Sequence, residues 1–308
     1  MKKPLVTIII PVYNGSEYLS QAIDSALAQT YENIEIIVVN DGSSDGGKSE
    51  RIALGYKDRI RYFKKENGGV STALNLGISH MRGQYFSWLS HDDMYMPEKI
   101  ESQVGLINDR DDSMIYMCGT SFIDADTRPV NRPQRRIKNG IFAPPAMLNE
   151  VFSGFNINGC ALLINKELFE RFGLFDEQLR YMQDLELWYR MMINGVSFLY
   201  DSRPLAVSRI HRKQVTITGK AFASADAVKV GEYMTENLKN MYNKDEDLLK
   251  KYMYLCFKNR NVRAGQKALA YLRENGRIGA IEQLRARWLQ MYGGIRPRLS
   301  ELYYKFKD

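Results

Sequence analysis

Apolar residues recur along the first part of the chain in two alternating rhythms. Val6 to Ile10 and Ile34 to Val39 are β-branched runs of strand length, each closed by turn-forming residues. Between them Tyr18, Ala22, Ile23, Ala26 and Leu27 fall at helical spacing, with Ser16 placed to cap the first turn. Strand, helix and strand together predict a βαβ unit. The spacing continues with a strand near Ile60 to Phe63, a helix over Val70 to Ser79, a strand over Tyr85 to Leu89, a helix from about Glu98 and a strand near Met114 to Cys118. Such alternation predicts an α/β fold: a Rossmann-like, largely parallel sheet covered by helices on both faces, whose ligand lies beyond the carboxyl ends of the strands.

The rhythm then loosens. Residues 124–145 hold Arg128, Arg132, Arg135, Arg136 and Lys138 among prolines with few apolar anchors, which predicts a surface loop. Short elements return at Gly159 to Ile164, Lys166 to Phe172, Gln183 to Met192 and Val196 to Tyr200. From Gly219 onward only helical spacing remains, as in Leu248, Leu249, Tyr252, Met253 and Leu255, so a boundary is expected near residues 212–220. The expected organisation is a domain over 1–215, with a binding half over 1–100 and a second half over 101–215, followed by an all-helical region over 216–308.

Composition narrows the class. A chain of 308 residues with 44% hydrophobic and 26% charged positions can bury two cores, which excludes disorder as the dominant state. Cys118, Cys160 and Cys256 are odd in number and far apart, fitting neither a disulfide framework nor a zinc site, and are expected to be reduced and buried. Lys2 and Lys3 precede an apolar run too short for a leader, and no stretch approaches the ~18 apolar residues of a bilayer span. The expected location is therefore cytoplasmic. The charge of +7 is unevenly placed: residues 1–249 carry 29 Lys+Arg against 32 Asp+Glu, and residues 250–308 carry 14 against 4. A basic segment interleaved with apolar residues, as in Ile281 to Tyr292, suits the cytoplasmic face of an anionic membrane, a contact with another subunit, or a helix that covers the first domain.

Candidate chemistry sits just past the strands. The first strand ends in Pro11-Val12-Tyr13-Asn14-Gly15 and the second in Asn40-Asp41-Gly42-Ser43. An aspartate there can accept a base imide N–H and Tyr13 offers a stacking face, although the same residue types also form a plain turn. Neither GxGxxG nor a Gly-Lys-Ser/Thr phosphate loop is present, which argues against a dinucleotide oxidoreductase and a P-loop enzyme. Ser90-His91-Asp92-Asp93 puts two carboxylates at a strand end, where they can bind Mg²⁺ or Mn²⁺ or favour the start of the following helix. Leu185, Trp188, Tyr189 and Met192 form one apolar helical face, leaving Asp184 near the helix start as a candidate general base or an exposed capping acid. Arg209 and His211 share one face of an extended segment and are candidates for a diphosphate contact or a metal shell.

In combination these residues resemble the family 2 glycosyltransferases of the GT-A fold over about residues 4–212. The motifs that carry the resemblance are Val6 to Asn14 with Gln29-Thr30-Tyr31, Glu35 to Ser43, Asn67-Gly68-Gly69 with Ala73-Leu74-Asn75-Leu76-Gly77, Trp88 to Asp93 with Pro97, Gly173-Leu174-Phe175-Asp176, and Gln183 to Trp188. The resemblance implies an inverting, metal-dependent transferase that moves a hexosyl group from a nucleoside-diphosphate sugar, usually a UDP-sugar, to a glycan, lipid-linked or protein-linked hydroxyl, as in cell-surface polysaccharide synthesis. It implies that Pro11, Tyr13 and Asp41 hold the nucleobase, with Asn14 and Asn67 in the same binding set. His91 and Asp93 would lie beside the ribose and donor sugar, with Ser90 in the same binding set, and Asp92 would bind the divalent Mn²⁺ or Mg²⁺ with His211. Arg209 and His211 would support the leaving group, and Asp184 would be the catalytic base.

Three positions depart from the family pattern: Ser90 stands where an Asp is common, Leu74 where an Arg is common, and Gln183 where an acid often precedes the base. Ser90 and Leu74 leave open a non-catalytic nucleotide or glycan-binding module on the same fold. A nucleotidyltransferase is disfavoured because residues 11–18 contain neither Lys nor Arg, and nucleic acid is not an expected partner.

Overall fold

The computed structural model describes residues 3–107, 113–214, 220–242, 246–259 and 261–292. The chain divides into two compact units, residues 1–147 with 155–220 and residues 148–154 with 221–308.

The first unit is built on one mixed sheet. β1 (Val6–Val12) is buried along its whole length, as its unbroken apolar run requires, and pairs in parallel with β2 (Ile34–Asp41) on one side and β4 (Tyr85–Trp88) on the other. β3 (Arg61–Lys65) adds in parallel outside β2. The helices α1 (Leu19–Leu27), α2 (Lys48–Gly55) and α3 (Val70–His80) lie between these strands in sequence, and Leu19, Ala22, Ile23 and Ala26 pack into the core around Ile8, Ile10 and Val38. α1 begins two residues later than the sequence suggests: Tyr18 is its N-cap, without a side-chain bond, and Ser16 lies before it.

Beyond β4 the pairing turns antiparallel. The order is β3-β2-β1-β4-β8-β6-β9-β5, where β5 is Met94–Tyr95, β6 Ile115–Ile123, β8 Leu162–Asn165 and β9 Phe198–Arg209. β6 and β9 run parallel, while β4–β8, β6–β8 and β5–β9 are antiparallel. β9 is a single strand of twelve residues, longer than its apolar pattern suggests, because the exposed Ser202, Arg203 and Pro204 interrupt that pattern. β9 bulges there: Ser202, Arg203 and Leu205 are extra to the register against Cys118 to Thr120 of β6. Gly119 is needed there, since a Cβ would sit 2.4 Å from the Ser202 carbonyl oxygen. The stretch expected as loop contains one more strand, β7 (Gly140–Phe142), antiparallel to Phe198–Tyr200. α4 (Lys99–Ile107), α6 (Lys166–Phe172) and α7 (Gln183–Ile193) complete this unit. On α7 the buried face runs through Leu187, Trp188, Met191 and Met192; Leu187, not Leu185, is its inner leucine.

α5 (Pro144–Phe152) ends inside the second unit, which otherwise consists of α8 (Lys220–Tyr242), α9 (Glu246–Lys258), α10 (Val262–Glu274) and α11 (Ala280–Tyr292). Its core includes Leu148, Phe152, Met234, Leu249, Tyr252, Met253, Phe257, Ala268 and Leu272. Tyr252 donates to the Gly231 carbonyl at 2.7 Å. Asn261 caps α10 through Ala264 N while its amide donates to the Ala227 carbonyl. Residues 293–308 of the basic segment lie outside the described residues.

Candidate functional site

The strand order reverses between β1 and β4, so the loops that follow these strands flank the crevice in which open α/β sheets bind ligands. After β1, Asn14 adopts a left-handed backbone (φ 51°), which asparagine tolerates better than most residues. Its amide N–H donates to Ser43 Oγ at 3.0 Å and its side-chain oxygen accepts Ser44 N–H at 2.7 Å, tying the loop after β1 to the loop after β2. Gly15 is obligatory because a Cβ would lie 2.2 Å from the His91 ring, so the loop after β4 closes directly on the loop after β1. Tyr13 is 45% exposed and keeps an open ring. Pro11 is buried within β1 opposite Val39.

Asp41, at the end of β2, is buried and already engaged. Its Oδ1 accepts Lys65 Nζ at 2.7 Å and Gly68 N–H at 3.0 Å, and its Oδ2 accepts Gly69 N–H at 2.7 Å. The carboxylate therefore fixes the loop that opens α3, and Arg180 clamps the same loop by donating to the Gly68 carbonyl at 2.7 Å. A carboxylate has about four acceptor positions, so one remains for a further donor. An open groove lined by Gly42, Ser43, Lys64, Lys65, Glu66 and the exposed Asn67 lies outside it. Lys65 and Arg180 were not among the expected site residues. The signal for Lys65 is cross-strand register, which sets it directly opposite Asp41.

The two aspartates after β4 part company. Asp92 Oδ2 lies 2.9 Å from His211 Nε2, and both side chains keep a small accessible surface. Burial alone pushes the Asp92 carboxyl up, but the His211 hydrogen bond and the fields of His91 and His211 outweigh it and hold Asp92 below the ordinary carboxylate value. Asp93 instead turns inward, accepting Arg209 N–H at 2.8 Å, Ser208 Oγ–H at 3.3 Å and the Cys160 thiol at 3.3 Å. Burial, with the Asp92 charge beside it, pushes Asp93 up to about 7. Asp93 thus bolts this loop to β9 and does not face a ribose or sugar. Ser90 packs over the same Cys160, which is 3.4 Å from both its nitrogen and its hydroxyl.

Arg209 also differs from expectation. Nε donates to the Asp92 carbonyl (3.0 Å), Nη1 to the Asp124 carbonyl (3.1 Å) and Thr127 Oγ1 (3.0 Å), and Nη2 to Gln21 Oε1 (2.6 Å) and Met94 Sδ (3.6 Å). The guanidinium lies 4.4 Å from the centroid of the Tyr18 ring. All five N–H groups are used inside the fold, leaving none for a leaving group. Arg209 holds the main chain of Asp92; His211, two residues on, meets its carboxylate.

Asp184 stands at the start of α7, partly accessible, with Oδ1 accepting Leu185 N–H at 2.7 Å. Burial pushes its carboxyl up to about 6 while that N–H pulls the other way. A carboxylate of this kind is ionised at neutral pH yet more basic than an ordinary one, as a general base requires.

The fit of a divalent ion can be judged from the donor set. Asp92 Oδ2 and His211 Nε2 are separated by 2.9 Å, close to the spacing of adjacent ligands around an octahedral ion with bonds of ~2.1 Å. Among the described residues there is no cluster of three or more His, Cys, Asp or Glu groups that could hold a metal ion. The remaining positions would thus fall to phosphate oxygens and water, the usual arrangement for Mg²⁺ at nucleotides.

Comparison with known proteins gives a consistent family. The family model described as "Glycosyl transferase family 2" matches residues 7–173. The chain is 50% identical over 222 residues to an uncharacterized glycosyltransferase of Rickettsia typhi, covering 70% of this chain and 67% of that protein. It is 50% identical over 217 residues to one of Rickettsia felis, of which it spans only 35%. Among solved structures, S. aureus TarS 1–349 in complex with UDP-GlcNAc superposes with a TM-score of 0.67 at 16% identity, over 82% of this chain and 72% of that one. The mannosyltransferase PcManGT from Pyrobaculum calidifontis, in complex with GDP-Man and Mn²⁺, gives 0.56 at 19% identity, over 95% and 80%. At such identities the likeness is one of fold.

Proposed function

The chain belongs to glycosyl transferase family 2, and on that premise we propose that it is an inverting, metal-dependent hexosyltransferase using a nucleoside-diphosphate sugar, with a UDP-sugar favoured. Its acceptor is a hydroxyl of a glycan, lipid-linked or protein-linked molecule in cell-surface polysaccharide or glycoconjugate synthesis. The reaction belongs in the cytoplasm or at the cytoplasmic face of a membrane; among the described residues no helix is long and apolar enough to cross one. The observation that carries the reading is the Asp92–His211 pair, 2.9 Å apart in the loops that flank the switch point of the sheet. That TarS and PcManGT are solved with nucleotide sugars, the latter with Mn²⁺, supports the choice of donor and metal.

In this reading Tyr13 stacks on the base, Asp41 offers its remaining acceptor position to a base N–H, and Asn67 and Ser43 line the groove beside them. His91 closes over Gly15 at the diphosphate end. Asp92 and His211 hold Mn²⁺ or Mg²⁺, which when bound offsets charge on the departing diphosphate. Asp184 takes the acceptor proton as the hydroxyl oxygen bonds to C1. The C1–oxygen bond to the diphosphate breaks with its electron pair leaving on the nucleotide, and a single displacement inverts the anomeric centre.

A panel of nucleotide sugars with Mn²⁺, read by acceptor-dependent release of the nucleoside diphosphate, tests this. Release of UDP with one donor and acceptor is the expected result. Binding of UDP without release for any donor and acceptor would favour the non-catalytic module that Ser90 and Leu74 left open.

A further inference from the structure

α11 has two apolar faces. Its inner one carries Ala286, fully buried, and is anchored by Glu282, which pairs with Lys250 Nζ at 3.2 Å on α9 and accepts Gly279 N–H at 2.9 Å. Gln283 accepts from Arg273 Nε at 3.1 Å, tying the helix to the end of α10. On the opposite side Ile281, Leu284, Trp288 and Met291 are 83%, 64%, 57% and 68% exposed. Their spacing of three, four and three residues makes one straight stripe ~15 Å long. A surface helix of a globular protein turns charged and polar residues to the outside, so four large apolar groups there need a different solvent.

The charges around the stripe say which. At 100° per residue Arg285 and Arg287 flank it on opposite sides, and both are exposed. Glu282 is the only acid of α11 and lies on the inner face, so the outer half carries no negative charge. A second copy docked through this stripe about a two-fold axis would set these arginines against their own counterparts with no acid to meet them. A layer of anionic phosphates above acyl chains meets both features at once.

We propose that α11 lies flat on an anionic lipid surface, with Ile281, Leu284, Trp288 and Met291 at the acyl boundary and Arg285 and Arg287 at the lipid phosphates. This rests on the membrane-face part of the proposed function and names its contact. The test is flotation of the full chain with vesicles of phosphatidylcholine alone and of phosphatidylcholine mixed with phosphatidylglycerol. The expected result is partition into the anionic vesicles only, weakened by salt, and reduced about tenfold or more in each of two double variants, Ile281→Gln with Leu284→Gln and Arg285→Gln with Arg287→Gln, whose melting is unchanged. No flotation, equal flotation with both vesicles, or unchanged flotation of the variants overturns the proposal. So does a dimer in light scattering that Leu284→Gln abolishes, which would assign the stripe to a second copy. Transfer to a soluble acceptor is measured on the same samples. Its loss in wild type with flotation intact would strike the transferase reading alone, and its retention without flotation would strike this proposal alone.

Discussion

His211 Nε2 lies 2.9 Å from Asp92 Oδ2, joining the segment after β9 to the loop after β4 across a sequence distance of 119 residues. Among the described residues no group of three or more His, Cys, Asp or Glu side chains could hold a metal ion, so each of the two carries a large share of the binding proposed here. Asp92→Asn is expected to abolish the rise in melting temperature that Mn²⁺ adds to UDP. His211→Ala should weaken the apparent metal affinity 10- to 100-fold, in the range seen for lost metal-shell partners. Metal titrations of the thermal shift read both, and wild-type metal dependence in both variants would remove this pair from the site.

Asp184 is raised to about 6 by burial, so a base role ties activity to its ionisation. With saturating metal, kcat/KM should climb with pH to a level reached above about 7, with an apparent pKa near 6 in the free enzyme. Asp184→Asn should lower kcat by about 10² to 10⁴ while the UDP-induced thermal shift stays intact. An unchanged rate in that variant would exclude the assignment.

Much of this was readable along the chain. The parallel block β3-β2-β1-β4 follows from β-branched runs whose ends fall at the ligand edge, and Asp92, His211 and Asp184 stand out by residue type and place. Side-chain direction was not readable. The alternation of an extended segment sets Arg209 and His211 on one face, and both do reach Asp92; but the strand ends at Arg209, and His211 enters a turn in which its N–H meets Gln214 Oε1 at 3.0 Å. The guanidinium therefore continues inward while the imidazole stays at the rim. Likewise Asp92 and Asp93 are equivalent as letters, and it is the β9 backbone N–H, the Ser208 hydroxyl and the Cys160 thiol that make Asp93 the inner one. The continuity of β9 was hidden by Ser202, Arg203 and Pro204, whose exposure breaks the apolar pattern.

Arg209 sits among neutral acceptors in five donor contacts that a lysine cannot reproduce. Arg209→Lys is expected to destabilise the fold by about 3 kcal/mol, because a buried charge is retained with fewer partners and the carbonyls of Asp92 and Asp124 lose their donor. Denaturant unfolding measures this. A loss of turnover with no loss of stability would instead restore Arg209 to direct contact with the leaving group.

Lys65 and Asp41 form a partly buried pair at 2.7 Å, with the carboxylate almost wholly enclosed. Lys65→Met leaves Asp41 with the two glycine N–H groups and no cation, at an expected cost of about 2 kcal/mol after allowance for the accessible lysine end. The loop carrying Asn67 to Gly69 loosens with it, so KM for the nucleotide sugar should rise more than kcat falls. An unchanged KM would separate this pair from donor binding.

Lys99 is the buried cation of the sheet's other face, donating to Ser87 Oγ and Gln103 Oε1 at 2.9 Å and to the Leu162 carbonyl at 3.3 Å, with its ammonium 4.2 Å from the centroid of the Tyr95 ring. None of these partners is a carboxylate, and burial lowers its pKa from 10.5 to about 8. Because the folded value lies below the unfolded one, the unfolded chain binds more protons between about pH 8 and 10.5. Stability from this group must therefore rise across that window, by about 3 kcal/mol in total, and be flat below it. Tyr95 and Cys160 are shifted upward by burial and act in the opposite sense in alkali, so the contribution is isolated as the difference between wild type and Lys99→Met. Denaturant midpoints of the two proteins, taken from pH 7 to 10.5, should diverge in favour of wild type above pH 8; parallel curves would mean that Lys99 keeps its ordinary basicity inside the fold.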